Sequence, residues 1–276
     1  MRVTGWQISF ADRGRCRRRR SDWEGDGWPA MPVRARSTRR PSGCSIRRAA
    51  RCLVLSQALI PALHERGVPV ERIQHIPHGE FKYYQRFATE RDPESSPITA
   101  RLLFFGQITT YKGLSLLLDA FERIAAQHQV QLQIVGSGDV KPYLSKIRKL
   151  SNIELVNRWI AEQEIQHYFQ PAPIVVLPYT SASQSGIIAL AASFACPVIA
   201  SRVGGIPEQI EHMHTGLLVE PGSIDELVEA IKCLLGDPKL QSSLGENLHT
   251  EYESHRTWDQ IATQVYQACN ISLSNK

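Results

Sequence analysis

What the sequence lacks narrows its reading first. No apolar run approaches the length needed to cross a bilayer. The N-terminus has no apolar central region of the kind a secretory signal carries. Only six cysteines occur, at 16, 44, 52, 196, 233 and 269, without a CxxC pair or a Cys/His cluster. That spacing offers neither a disulfide framework nor a zinc motif, and no metal site is expected. Reduced thiols suit a cytoplasmic protein, with a peripheral place at a membrane surface as the variant. No internal repeat marks a solenoid. No GxGxxG with an acid about 20 residues on marks a dinucleotide binder.

Lysine is missing from residues 1–51, which hold fourteen Arg against four acids, Asp12, Asp22, Glu24 and Asp26. The chain totals of 32 basic and 27 acidic residues leave 18 against 23 beyond that point, so a net charge of +5 hides an acidic body. The arm shows no helical or alternating apolar period. Residues 1–50 are therefore expected to be disordered, since they bury too little to offset ordering entropy. Three readings of the arm stand side by side. It is a non-native or truncated start, as a GC-rich stretch read without selection would give; an inert tail; or an arm whose arginines and Trp6, Trp23 and Trp28 bind a polyanion. No specific nucleic-acid partner is expected.

Beyond Arg51 the composition, 42% hydrophobic and 21% charged, is that of an ordinary globular protein. "RCLVLSQ" reads as a strand, "ALIPALHERG" as a short helix, "RIQHIPHG" as a strand, and 82–98 as a polar linker. Strands at 101–106, 130–135, 153–157, 173–178, 197–201 and "GLLVE" then alternate with helices at 113–127, 140–150, 161–170, 185–195, "IPEQIEH" and 223–235. Two amphipathic helices, 238–252 and 257–270, close the chain. The strands are apolar throughout, as strands covered on both faces are. Alternation of this kind predicts an α/β fold with a doubly wound parallel sheet.

In such sheets ligands sit beyond the carboxyl ends of the strands. "GQITTYKG", "GSGD", "NRWI", "PYTSASQSG" and "SRVGGIPE" all fall there. Lys112 stands where a strand passes into a helix, next to a helix N-terminus that is already partly positive. A cation there implies an anion. "SASQSG" leads straight into an apolar helix, so the backbone N–H groups of Gln184, Ser185, Gly186 and Ile187 are expected to be free to cradle an anion. Ser183 or Ser185 acting as a plain N-cap explains the same residues. Together with the turn at Gly106, the two features suggest a phosphate or diphosphate ligand.

The ordered string "FFGQ…YKG", "LQIVGSGD", "LPYTSASQSG…PVIASRVGGIPE…TGLLVEPG" resembles the C-terminal half of retaining group-one (family 4) glycosyltransferases of the GT-B fold. The likeness runs from about residue 50 to 270. It implies a Rossmann-like domain that binds a nucleotide-diphosphate sugar donor and transfers the sugar with retention to a saccharide or lipid acceptor, without a cofactor. On this resemblance Lys112 would meet the donor diphosphate. The family's usual arginine falls on Gln107, which is neutral, and its two glutamates fall on Ser183 and Ala191. Ile160 takes the position whose backbone meets the base, and His78 lies in the interdomain segment, read as structural with a catalytic role as the alternative. Residues 51–98 would be a remnant of an N-terminal domain with the interdomain linker, 99–256 the donor-binding domain, and 257–276 a crossover helix and tail. Most of the acceptor domain would be missing, leaving a chain weakly active alone. A non-catalytic donor-binding module completed by a partner domain, and an unrelated nucleotide or NAD binder, are the alternatives.

Overall fold

The computed structural model describes residues 51–87 and 100–273, with side chains to Ala268 at the C-terminal end. The Arg-rich arm and the linker beyond Phe87 lie outside the described residues.

Six strands build the main sheet: β3 (Ala100–Phe105), β4 (Val130–Val135), β5 (Ile153–Val156), β6 (Ile174–Leu177), β7 (Val198–Ser201) and β8 (Leu217–Val219). All neighbours are parallel, in the order β5-β4-β3-β6-β7-β8. The first two strands, β1 (Cys52–Val54) and β2 (Ile73–His75), pair with each other in a separate two-stranded sheet. The expected doubly wound sheet is therefore present, and the two strands expected ahead of it pair with each other apart from it.

Alternation within each strand decides which core a side chain joins. On β3, Leu102 and Phe104 enter one core while Leu103 and Phe105 enter the other. The first core is covered by α2 (Leu114–Ala125), α3 (Leu144–Lys149) and α6 (Ile224–Gly236). On α2 the apolar residues Leu114, Leu117, Leu118, Phe121 and Ile124 recur at three- and four-residue steps, so they form one buried face. The second core is covered by α4 (Ile165–Phe169), α5 (Gly186–Ser193) and α7 (Pro238–His255). Helix α8 (Trp258–Leu273) follows.

Three expectations are corrected in detail. The helices expected over 140–150 and 161–170 begin as single 3-10 turns, Lys141–Tyr143 and Glu162–Glu164, before α3 and α4. "IPEQIEH" reduces to a 3-10 turn, Ile206–Glu208, with Pro207 in its first positions. The start of the linker is ordered as a 3-10 helix, Lys82–Phe87. Phe81 and Tyr84 pack on the second core there, and Gln85 Nε2 donates to the Ser193 carbonyl at 2.7 Å. Aromatic contact outweighs the polar composition.

Between β1 and β2 lies α1 (Ile60–Glu65), making a βαβ unit with a small core of its own around Val54, Val68 and Ile73. Glu208 ties this unit to the main body. Its carboxylate accepts from Ser56 Oγ at 2.8 Å, Gln57 N–H at 2.8 Å and Ala58 N–H at 3.0 Å.

Candidate donor site

The strand order places β3 and β6 side by side while their connections run in opposite directions, which is the switch point where parallel sheets open a crevice. Local contacts bind the two strand exits together there. The Tyr111 carbonyl accepts from Thr180 N–H at 2.8 Å and Thr180 Oγ1 at 3.2 Å. Gly113, at φ 71°, opens α2. A Cβ on it would lie 1.9 Å from the Pro178 carbonyl oxygen, so only glycine lets the loops approach this closely.

Lys112 is thereby fixed over the crevice. Its Nζ lies 5.6 Å from the centroid of the Tyr179 ring. It also lies 3.0 Å from where a Cβ on Gly106 would stand, at a backbone φ of +105°. The bare backbone of Gly106 thus gives the ammonium its seat. No carboxylate pairs with Lys112 among the described residues. Burial lowers its pKa from the ordinary lysine value, so an uncompensated cation waits at half-burial. Tyr179, pushed up to about 12 by burial, stays a neutral phenol, 3.4 Å from Ser185 Oγ.

The start of α5 forms the facing wall. Tyr111, Lys112, Tyr179 and residues Ser181 to Ile187 line a groove of about 540 Å³. The expected cradle is narrower than its sequence suggests. Ser185 N–H is taken by Gln209 Oε1 at 2.7 Å, and Ile187 N–H by the capping Ser185 Oγ at 3.3 Å. Both readings of the motif therefore hold in part: Ser185 is an N-cap, while the N–H groups of Gln184 and Gly186 have no acceptor among the described residues. Gln184 Oε1 is buried and unpaired as well.

Other expected residues fall elsewhere. Gln107 is exposed at the β3 exit and Gly106 lies under Lys112, so neither lines the groove. Ile160 is buried, its side chain in the second core, leaving its backbone at the β5 exit. Ser183 is exposed on the groove wall, whereas Ala191 is fully buried in the second core. His78 stands closer to the site than a purely interdomain place implies. Its Nδ1–H donates to the Gly79 carbonyl at 2.7 Å, and its Nε2 lies 3.5 Å from where a Cβ on Gly186 would be. Burial, followed by the field of Arg256, lowers its pKa, so the imidazole is neutral at pH 7. Arg158, the cation at the β5 exit, is spent on Glu164 at 2.9 and 2.5 Å and holds that carboxyl down to about 2. Among the described residues no group of three His, Cys, Asp or Glu is arranged to hold a metal.

Comparison with known proteins fits this geometry. Residues 99–237 match the family of glycosyl transferases group 1. The chain belongs to that family. The matched span contains the whole main sheet and its crevice. This group 1 glycosyltransferase chain is 31% identical over 193 residues to the D-inositol 3-phosphate glycosyltransferase of Pseudarthrobacter chlorophenolicus, an alignment covering 65% of this chain and 46% of the relative. It spans about half the length of the curated relatives it matches. Among solved structures, Anabaena HepE in complex with UDP and glucose superposes with a TM-score of 0.71 at 20% identity, covering 80% of this chain and 63% of that one. The C-terminal domain of a group 1 family protein of Francisella tularensis superposes at 0.53 with 19% identity, covering 66% of this chain and 96% of that domain. The fold is thus the parallel α/β fold of GT-B glycosyltransferases.

Proposed function

We propose that residues 99–256 are the donor-binding domain of a retaining glycosyltransferase, which takes a nucleotide-diphosphate sugar at the β3/β6 crevice. The observation that carries this reading is Lys112, a half-buried cation without a carboxylate partner among the described residues, facing the start of α5 across a groove. As the bond from sugar to diphosphate breaks, negative charge grows on the leaving phosphate. Lys112, the N–H groups of Gln184 and Gly186 and the helix dipole stabilise that charge without reorganising. Likeness to a protein that holds UDP and glucose supports a nucleotide-sugar donor. The acceptor is a saccharide or a lipid.

The acceptor would be held by a second domain. The β1–α1–β2 unit, with its own small core, supports that placement as the edge of such a domain. A two-stranded sheet is marginal alone. A second reading, a donor-binding module that needs a partner domain for any transfer, is favoured by neutral Gln107 and by Ser183 and Ala191, where the resemblance has acids.

The test is release of nucleoside diphosphate from a panel of sugar nucleotides, with saccharide and lipid acceptors, before and after fusing an acceptor domain ahead of Arg51. Slow release without the domain and brisk acceptor-dependent release with it are expected, with the product's anomeric configuration matching the donor's. Brisk transfer by the chain alone would contradict the divided site, and inversion would contradict retention.

A further inference from the structure

Gln209 lies just past the turn after β7 and is 5% exposed. A buried primary amide is costly unless its carbonyl and NH₂ group find partners. Here most of that capacity is aimed at one residue. Oε1 accepts Ser185 N–H at 2.7 Å, and Nε2 donates to the Ser185 carbonyl at 3.1 Å. The second Nε2 hydrogen reaches the Tyr252 hydroxyl at 3.2 Å. Tyr252 is itself buried on α7, with the Arg256 guanidinium 4.8 Å above its ring, and Arg256 Nη2 donates to the Glu208 carbonyl at 2.8 Å. The amide that grips Ser185 is therefore braced from behind by α7.

We infer that Gln209 is a positioning residue for diphosphate binding: its amide, braced by Tyr252, fixes the backbone of Ser185 and so sets Gln184 and Gly186 at the groove wall. This rests on the proposed donor site. At neutral pH the amide meets the demand where an apolar side chain or a carboxylate does not. An apolar side chain would leave Ser185 N–H buried and unpaired, and a carboxylate would repel the Ser185 carbonyl and put negative charge behind an anion site. A protonated carboxyl, by contrast, can both accept and donate as the amide does.

That last property gives the test. The full chain, its Gln209→Glu variant and its Tyr252→Phe variant are titrated calorimetrically with UDP, GDP and ADP. At about pH 8, Gln209→Glu should bind the preferred nucleotide about tenfold or more weakly than wild type. Burial at this position pushes the new carboxyl above the ordinary Glu value, so towards about pH 5 it gains its proton and the gap should narrow. Wild type should move the other way, as the diphosphate loses charge. Tyr252, which faces the amide, stays a neutral phenol across that range because burial raises its pKa. Equal affinities at about pH 8, or a gap that acid does not narrow, would overturn the inference. If Gln209→Glu fails to fold, Tyr252→Phe decides, with weaker binding and faster exchange of the Ser185 amide expected; no change in either overturns it. If folded wild type binds none of the three nucleotides, the donor-site reading fails first and takes this inference with it.

Discussion

Lys112 shows how much chemistry one residue can announce. A lysine between a strand and a helix start is legible in the sequence because it opposes the helix dipole, and the structure leaves it without a carboxylate among the described residues. Its burial makes the charged form costly when no anion is present. Lys112→Met should therefore leave the melting temperature unchanged or raise it, while weakening nucleotide binding about tenfold or more. A lowered melting temperature with unchanged affinity would assign the side chain to stability instead. Ala191 teaches the opposite lesson. The resemblance placed it at an acidic position, but the side chain is fully enclosed in the second core. Ala191→Glu should cost about 3 kcal/mol or more in denaturant melts, because the carboxylate would be buried without a partner. The role of Gln209 could not be read from the sequence, because its target is 24 positions away and neither residue carries a local motif.

At the scale of elements, the exits of β3 and β6 matter most, and the glycines beside them were visible as turn signals. Their tightest constraint was not visible, because the Pro178 carbonyl that excludes a side chain from Gly113 comes from another strand. Gly113→Ala combines that clash with a left-handed φ of 71°. It should destabilise the fold by about 3 kcal/mol and weaken nucleotide binding together, as thermal melts and titration would report. Helix α5 was legible as an anion cradle, yet half of its N–H groups proved to be spoken for by Ser185 Oγ and Gln209. The tie at Glu208 was not foreseen either. Burial works against its carboxylate, but hydrogen bonds from Gln57, Ser56 and Ala58 hold its pKa below the ordinary value. A depressed carboxylate stabilises fully above its unfolded-state pKa and loses that contribution as pH falls through the folded value. The β1–α1–β2 unit should thus loosen on acidification below about pH 4.5, seen as faster amide exchange at Gln57 and Ala58. Glu208→Gln should show the loosening at neutral pH.

For the molecule as a whole, the alternation of apolar runs and amphipathic segments announced a doubly wound sheet because both faces of every strand had to be covered. The separation of β1 and β2 into their own sheet could not be read from strand composition, since an isolated parallel pair has the same apolar pattern as a strand within a larger sheet. On the proposed function, this body binds a nucleoside diphosphate at the β3/β6 crevice through Lys112. Calorimetric titration of the full chain with UDP, GDP and ADP tests it most directly when wild type and Lys112→Ala are run together. One-to-one binding of at least one nucleotide is expected, weakened about tenfold or more in Lys112→Ala. Absence of binding by the folded wild type, or equal affinity in the two proteins, would contradict it.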